Sequence, residues 1–424
     1  MTTLAASATV VPFGRTASVE ALVQLAGRIA VTGDPDGLLS QIEDATLRAM
    51  DCERVTIFVH DPEAGQLSSR QTPGSDVIRL SVEDGVAGYS VRTRRTLNVP
   101  DAARDPRFCP DVDRRTGFRT RNLLSVPLRG PDGVVMGALE MVNHRDGSFS
   151  VADEELATAL SALASMVLQG RALLEAQARR QHLERELDVA RRIQRSLLPQ
   201  EDPAIDGFDV SGWNLPAEAT GGDFYDHFQL ADGQQALVLA DVAGHGLGSS
   251  LLACECRALV RANAARSSDV AEILARTNAV LHSDLHDERF VTMFLASLDP
   301  RTSELTYVSA GHPAFLHCGR NDSPCCRALD STTLPLGILP ELRVEPVTLQ
   351  LGPRETLLLL TDGFYEWMNP GSEHFGAERI MDVVGRHCQE PASRLISELW
   401  DAVRQFADGT PQEDDLTAVV VKRL

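Results

Sequence analysis

The stretch Gln235-Ala236-Leu237-Val238-Leu239-Ala240-Asp241-Val242-Ala243-Gly244-His245-Gly246 is an apolar run that ends on an acid and a glycine-rich turn. A run without polar alternation reads as a strand covered on both faces. Leu357-Leu358-Leu359-Leu360-Thr361-Asp362-Gly363 repeats the arrangement. Glu413-Asp414-Asp415 leads into Leu416-Thr417-Ala418-Val419-Val420-Val421, and Gly221-Gly222-Asp223-Phe224-Tyr225-Asp226 opens the same half of the chain. Further strands are expected at 293–298 and 305–308, and helices at 250–264, 270–282 and 391–406. Apolar strands interleaved with amphipathic helices predict an α+β fold, a two-sheet sandwich with helices outside, over 201–424.

Each of these strands delivers a carboxylate to its end. Carboxylates gathered near apolar strands lose hydration and repel one another, so they need a counter-charge. No Lys or Arg lies within three residues of Asp223, Asp241 or Asp362. A pair of divalent cations meets the need, and all-oxygen ligands favour Mg²⁺ or Mn²⁺ over zinc. Two such ions about 3.5–4 Å apart polarise a phosphoryl group and generate hydroxide near neutral pH. The plainer alternative is that each Asp opens a turn, a reading that serves one of them better than all together.

The motifs GGDFYD, DVAGHG, SAGHP at 309–313, LPLGI at 334–338, LLTDG and DDLT stand in this order. They resemble the SpoIIE-like branch of the PPM (protein phosphatase 2C-like) metal-dependent phosphatases. The resemblance spans 201–424 and implies a β-sandwich flanked by helices. It also implies two Mn²⁺ or Mg²⁺ ions and hydrolysis of phosphoserine or phosphothreonine by a metal-bridging water. By this resemblance Asp223, Asp241, Asp362 and Asp414 are the catalytic acids. Asp241 would bridge both ions, Asp223 would bind one of them, Asp362 and Asp414 would hold the other, and the carbonyl of Val242 would add a ligand. Asp415 is a weaker candidate. Members of the eukaryotic type carry a phosphate-gripping Arg where this chain has Ala219, and a His where it has Ala243. No general acid is assigned: His245 reads as a turn or packing residue, and His312 as shaping the rim of the site or as structural.

The front of the chain reads differently. Helices are expected at 19–31 and 35–50, then strands at 54–60, 123–128 and 134–143. Residues 19–170 resemble a GAF sensor domain, through Leu123-Leu124-Ser125-Val126-Pro127-Leu128 and through Asn143-His144 followed by Phe149-x-x-x-Asp153-Glu154. Cyclic-nucleotide GAF domains have Lys where His144 stands. Two readings stay open: a helix start favoured by carboxylates at its N-terminus, or a pocket for a cyclic nucleotide or another small effector. The arginines at 92–95 and 114–121 read as solvated loop charges or an anion site. Residues 1–18 read as a flexible tail.

A long helix is expected from 151 to about 198. Its part at 171–200 would connect the domains, ending at Pro199. Leu173, Ala176, Arg180, Leu183, Leu187, Ala190, Gln194 and Leu197 follow spacings of three and four, a heptad seam broken at Arg180 and Gln194. This predicts a dimerising coiled coil or, alternatively, a solvated helix packed on one domain.

Composition bounds the partners. The chain has 424 residues, a net charge of -20 and 43% hydrophobic residues. Acidity disfavours nucleic acid and anionic membranes. No uninterrupted apolar run of membrane length and no basic leader is read, so the expected place is the cytoplasm. Eight scattered Cys fit reduced thiols. The expected function is a cytoplasmic, homodimeric serine/threonine phosphatase regulated by its front domain. Its expected substrate is a small phosphoprotein of the anti-sigma-factor antagonist type. The alternatives are a phosphoprotein-binding adaptor and a cyclic-nucleotide sensor.

Overall fold

The computed structural model describes residues 34–70, 77–285, 289–318 and 325–424. The tail at 1–18 and the helix expected at 19–31 lie outside them. The chain divides into two compact units, Met1–Gln181 and His182–Leu424.

The first unit begins with α1 (Pro35–Ala49), whose start is fixed by Pro35 and by Asp34, which accepts a hydrogen bond from Gly37 N. Then follow β1 (Cys52–Asp61), β2 (Gln66–Ser69), β3 (Arg79–Ser81), α2 (Gly85–Thr93), β4 (Leu97–Val99), α3 (Asp111–Thr116), β5 (Leu123–Arg129), β6 (Val135–His144) and α4 (Val151–Leu197). The strands form one antiparallel sheet in the order β3-β2-β1-β6-β5-β4. Ile57, Leu124, Val126, Leu139 and Met141 pack with Leu38, Leu39 and Ile42 of α1 and with Leu160, Ala164 and Leu168 of α4.

Helix α4 has 47 residues, about 70 Å at 1.5 Å per residue. It holds an apolar stretch long enough by composition to cross a membrane. Part of that stretch is buried: Ala157, Leu160, Ala164, Val167 and Leu168 lie in the core of the first unit. Along the seam, Leu173 and Leu183 are 65% and 59% exposed.

The second unit continues with β7 (Phe208–Leu215), β8 (Phe224–Gln229), β9 (Gln235–Val242), α5 (Leu247–Ala264), α6 (Val270–Asp284), β10 (Val291–Asp299), β11 (Glu304–Ala310), β12 (Ala314–Cys318), β13 (Cys325–Leu329), β14 (Val347–Gln350), β15 (Thr356–Leu360), α7 (Gly363–Glu366), α8 (Gly376–His387), α9 (Ala392–Ala407) and β16 (Leu416–Arg423). One sheet runs β14-β11-β10-β9-β8, the other β13-β12-β15-β16-β7.

The continuous apolar runs have a simple cause in a period of two. In β9, Leu237 and Leu239 face the core between the sheets, with Phe294, Leu357, Leu359 and Val419. Ala236, Val238, Ala240 and Val242 face the other way, against Ala253, Cys256 and Val260 of α5 and Ile273 and Leu274 of α6. In β15, Leu358 and Leu360 turn outward to Ile380, Leu395 and Leu399 under α8 and α9. The unit is therefore a helix–sheet–sheet–helix stack. Cys52, Cys109, Cys254, Cys256 and Cys388 are free thiols.

The GAF-like motif is absorbed by local bonds. Asn143 donates to Glu53 and to the Arg119 carbonyl while accepting from Arg121 N. Asp153 accepts from Ser150, and Glu154 accepts from Asn98. Arg92, Arg114 and Arg121 pair with Glu83, Asp111 and Glu53. Glu140 instead lines an internal cavity of about 50 Å³ with Arg54, Phe58, Asp113 and Phe118. Burial pushes its carboxyl up to about 7, opposed by Arg54 and reinforced by Asp113.

This shift predicts a pH-dependent first unit. Between its ordinary value of 4.5 and about 7, Glu140 stays protonated in the folded chain and ionises in the unfolded one. Stability therefore falls as pH rises through that window, by up to about 3 kcal/mol, and is level above it. Calorimetric melting from pH 5 to 8 should show the slope in wild type and lose it in Glu140→Gln.

Candidate active site

Antiparallel pairing gathers the acids at one end of the sandwich. The end of β9 lies beside the start of β8, with Phe224 opposite Ala240, so Asp223 comes next to Asp241. In the facing sheet the end of β15 lies beside the start of β16, with Leu360 opposite Ala418, so Asp362 comes next to Asp414 and Asp415. The sheets are tied together at this end by Asp223. Its Oδ2 accepts from the hydroxyls of Thr361 at 2.7 Å and Thr417 at 2.6 Å.

Asp415 fastens the loop ahead of β8. Its carboxylate accepts from Ala217 N at 2.8 Å and from Asp223 N at 3.3 Å. The glycines here are required by close approach. A Cβ on Gly221 would stand 2.2 Å from Asp415 Oδ2, and one on Gly363 would stand 2.1 Å from the Asp415 carbonyl oxygen. A Cβ on Gly222 would stand 2.8 Å from the carbonyl oxygen of Val242, which thus faces the Asp223 loop.

The electrostatics record the crowding. Burial first, then the charges of Asp362 and Asp414, push Asp241 up to about 7, while Asp223 lies within hydrogen-bonding reach of it. Asp223 is raised well above the usual carboxylate range by burial and by Asp241 and Asp415. Asp362 rises to about 6 through burial, Asp414 and Glu366. Among the described residues no Arg, Lys or His pairs with any of these acids. Asp226, three residues beyond Asp223, is the contrast: its buried carboxylate takes Arg257 at 2.9 Å and Arg261 at 2.6 Å.

Among the described residues no three acid, His or Cys side chains close on one another as a finished coordination shell. The donor chemistry nonetheless fits hard divalent cations: oxygen ligands of one sign, without a protein counter-charge. Asp414 is exposed at the edge of the cluster, where its Oδ1 accepts from Asp415 N. A cleft of about 290 Å³ lined by Trp367, Met368, Pro411 and Asp414 opens there.

His312 does not shape the rim. It is buried at 2% exposure, with Nδ1 3.2 Å from Thr292 Oγ1, and burial pushes it down to about 4. His245 is an exposed turn residue, 3.0 Å from Glu218 Oε1. Thr361 and Thr417 escaped the sequence reading, although both sit within two residues of an acid in LLTDG and DDLT. Gln194 escaped as well. Its side-chain amide donates to the Gly221 carbonyl at 2.6 Å and accepts from Gly221 N at 3.1 Å. Its signal was a polar residue at a seam position.

The comparisons follow this geometry. The family described as Stage II sporulation protein E (SpoIIE) matches residues 231–424, and the GAF domain family matches 34–168. Protein IcfG of Synechocystis sp. is 26% identical over 272 residues, covering 56% of this chain and 41% of its own length. Phosphoserine phosphatase RsbU of Bacillus subtilis is 25% identical over 246 residues, covering 57% of this chain and 71% of its own. The chain thus spans less than half of IcfG and about seven tenths of RsbU. The SiaA-PP2C domain of Pseudomonas aeruginosa superposes with a TM-score of 0.52 at 25% identity, over 58% of this chain and 98% of that domain. Sheet order, acid placement and these matches agree: residues 231–424 are similar to the SpoIIE-type, protein phosphatase 2C-like family, and residues 34–168 to the GAF domain family.

Proposed function

We propose that the chain is a protein serine/threonine phosphatase that removes phosphate from a small regulatory phosphoprotein of the anti-sigma-factor antagonist type. The observation that carries this is the set of unneutralised carboxylates, Asp223, Asp241, Asp362 and Asp414, at one end of the sandwich. RsbU, a relative over more than half of the chain, bears the name phosphoserine phosphatase.

Asp223, Asp241, Asp362, Asp414 and the carbonyl of Val242 would hold two Mn²⁺ or Mg²⁺ ions. Bound there, the ions supply charge neutralisation for the phosphate and a water of lowered pKa. The protein's own part is positional. Thr361 and Thr417 fix the Asp223 carboxylate, and Asp415 fixes the loop that carries it. Asp241, within hydrogen-bonding reach of Asp223 and in the field of Asp362 and Asp414, would share in holding the ions. Apolar Trp367 and Met368 beside Asp414 offer a wall for the protein substrate. His245, exposed and paired with Glu218, is given no proton-transfer role.

Regulation is assigned to the GAF domain, which would respond to a small effector, with α4 as the carrier. The domain offers a small effector two places, a pocket of about 790 Å³ lined by Arg70, Arg92, Val135 and Arg171 and the small cavity at Glu140. The exposed Leu173 and Leu183 support a homodimer through the seam. The cytoplasm is the proposed location, in keeping with free thiols.

Purified full-length protein should hydrolyse a phosphoserine protein only with Mn²⁺ or Mg²⁺. Asp241→Ala and Asp362→Ala should each lower turnover by at least about 100-fold, ligand loss exceeding the 10–100-fold typical of supporting residues. No turnover in wild type would favour a phosphoprotein-binding adaptor. Gln194→Leu removes one of the two polar breaks in the seam while releasing Gly221. It should raise the Mn²⁺ concentration for half-activity by about 10-fold without weakening association, read by metal titration and sedimentation. Leu183→Asp with Leu187→Asp should shift sedimentation from dimer to monomer and uncouple effector from activity.

A further inference from the structure

The acidic site has to attract a phosphate dianion, yet position 219, where an arginine would grip it, is Ala219. The geometry points to Arg289 as the phosphate-gripping cation of this chain, reaching the site from a different strand. This rests on the phosphatase reading above and names a substrate-binding residue for it.

Arg289 stands two residues ahead of β10, the strand paired with β9. Thr292 lies opposite Asp241 and Val291 opposite Val242, and the Phe290 carbonyl accepts from Ala243 N at 2.9 Å. Continued one step, this register sets Arg289 against Gly244, three residues past Asp241. The side chain then crosses to α5. A Cβ on Gly248 would stand 2.8 Å from one terminal nitrogen of Arg289, 3.3 Å from the other and 3.5 Å from Cζ. The neighbouring Ser249 packs on Gly222, beside Asp223, where its Cβ would stand 3.3 Å from a glycine Cβ. The guanidinium therefore lies over the first turn of α5, against a residue that has no side chain to displace it.

Its charge is uncommitted. Arg289 is exposed and, among the described residues, makes no ion pair. It is also absent from the charges that move Asp241, whose neighbours are acids. Some other cations of the unit have partners. Arg257 and Arg261 serve Asp226, and Lys422, the chain's lone lysine, donates to the Glu390 carbonyl. A planar fork with two parallel N–H donors matches two oxygens of a phosphate monoester, which an ammonium cannot reproduce.

The test uses the full chain with Mn²⁺ and p-nitrophenyl phosphate, with inorganic phosphate as competing inhibitor. Arg289→Ala should raise both KM and the phosphate inhibition constant by about 10-fold, the size of one lost charge-assisted pair. The Mn²⁺ half-saturation and melting temperature should stay at wild-type values, and Arg289→Lys should recover part of the loss. KM and phosphate inhibition within twofold of wild type in Arg289→Ala would overturn the assignment. If wild type turned over no substrate, the phosphatase reading would fail by itself. Calorimetric titration of inorganic phosphate into Mn²⁺-loaded wild type and Arg289→Ala would then decide the binding role: a drop in affinity upholds it, equal affinity sinks it.

Discussion

Like-charge repulsion in a poorly hydrated place is the constraint around which the second unit is organised. Asp223, Asp241, Asp362, Asp414 and Asp415 are forced together by strand pairing, and among the described residues no basic side chain pairs with them. The fold resists the resulting pressure with fixed donors: two threonine hydroxyls on Asp223 and backbone amides on Asp415. Such bonds hold the oxygens in place without removing their charge. The site keeps its demand for cations while its geometry is maintained from behind. Asp226 shows the other solution, a buried acid neutralised by arginines, only one turn of strand away.

The same end of the sandwich explains the glycine content of the motifs. Gly221 and Gly363 are packed against opposite sides of Asp415, one on its carboxylate and one on its carbonyl. Two loops from different sheets thereby share one residue as their spacer. Asp415 thus supports the acids from behind, through its carboxylate and its carbonyl.

Much of this was legible in the chain. The runs at 236–240, 357–360 and 418–421 announced strands covered on both faces, and the structure shows the cause, because alternate residues enter two different cores. The convergence of the acids was legible through their common placement at strand ends. Other features were hidden because they depend on contacts far apart in sequence. Nothing local marks Thr417 as a donor to Asp223, 194 residues away. His312 looked like a rim residue from its place in SAGHP, but the turn folds it inward beneath Thr292. Gln194 looked like a flaw in a heptad pattern, since periodicity describes what a helix shows to its neighbours and not a single bond made by its last turns.

That flaw has a mechanical meaning. Gln194 grasps both the carbonyl and the N–H of one residue, so the end of α4 is indexed to the Gly221 loop at a definite angle about the helix axis. A side chain about 5–6 Å from that axis sweeps roughly 1 Å for every 10° of twist. Paired hydrogen bonds tolerate only a fraction of such a displacement. The linkage is therefore far more sensitive to torsion of the rod than to small bends along it, and it behaves as a rotary detent seated two residues from Asp223.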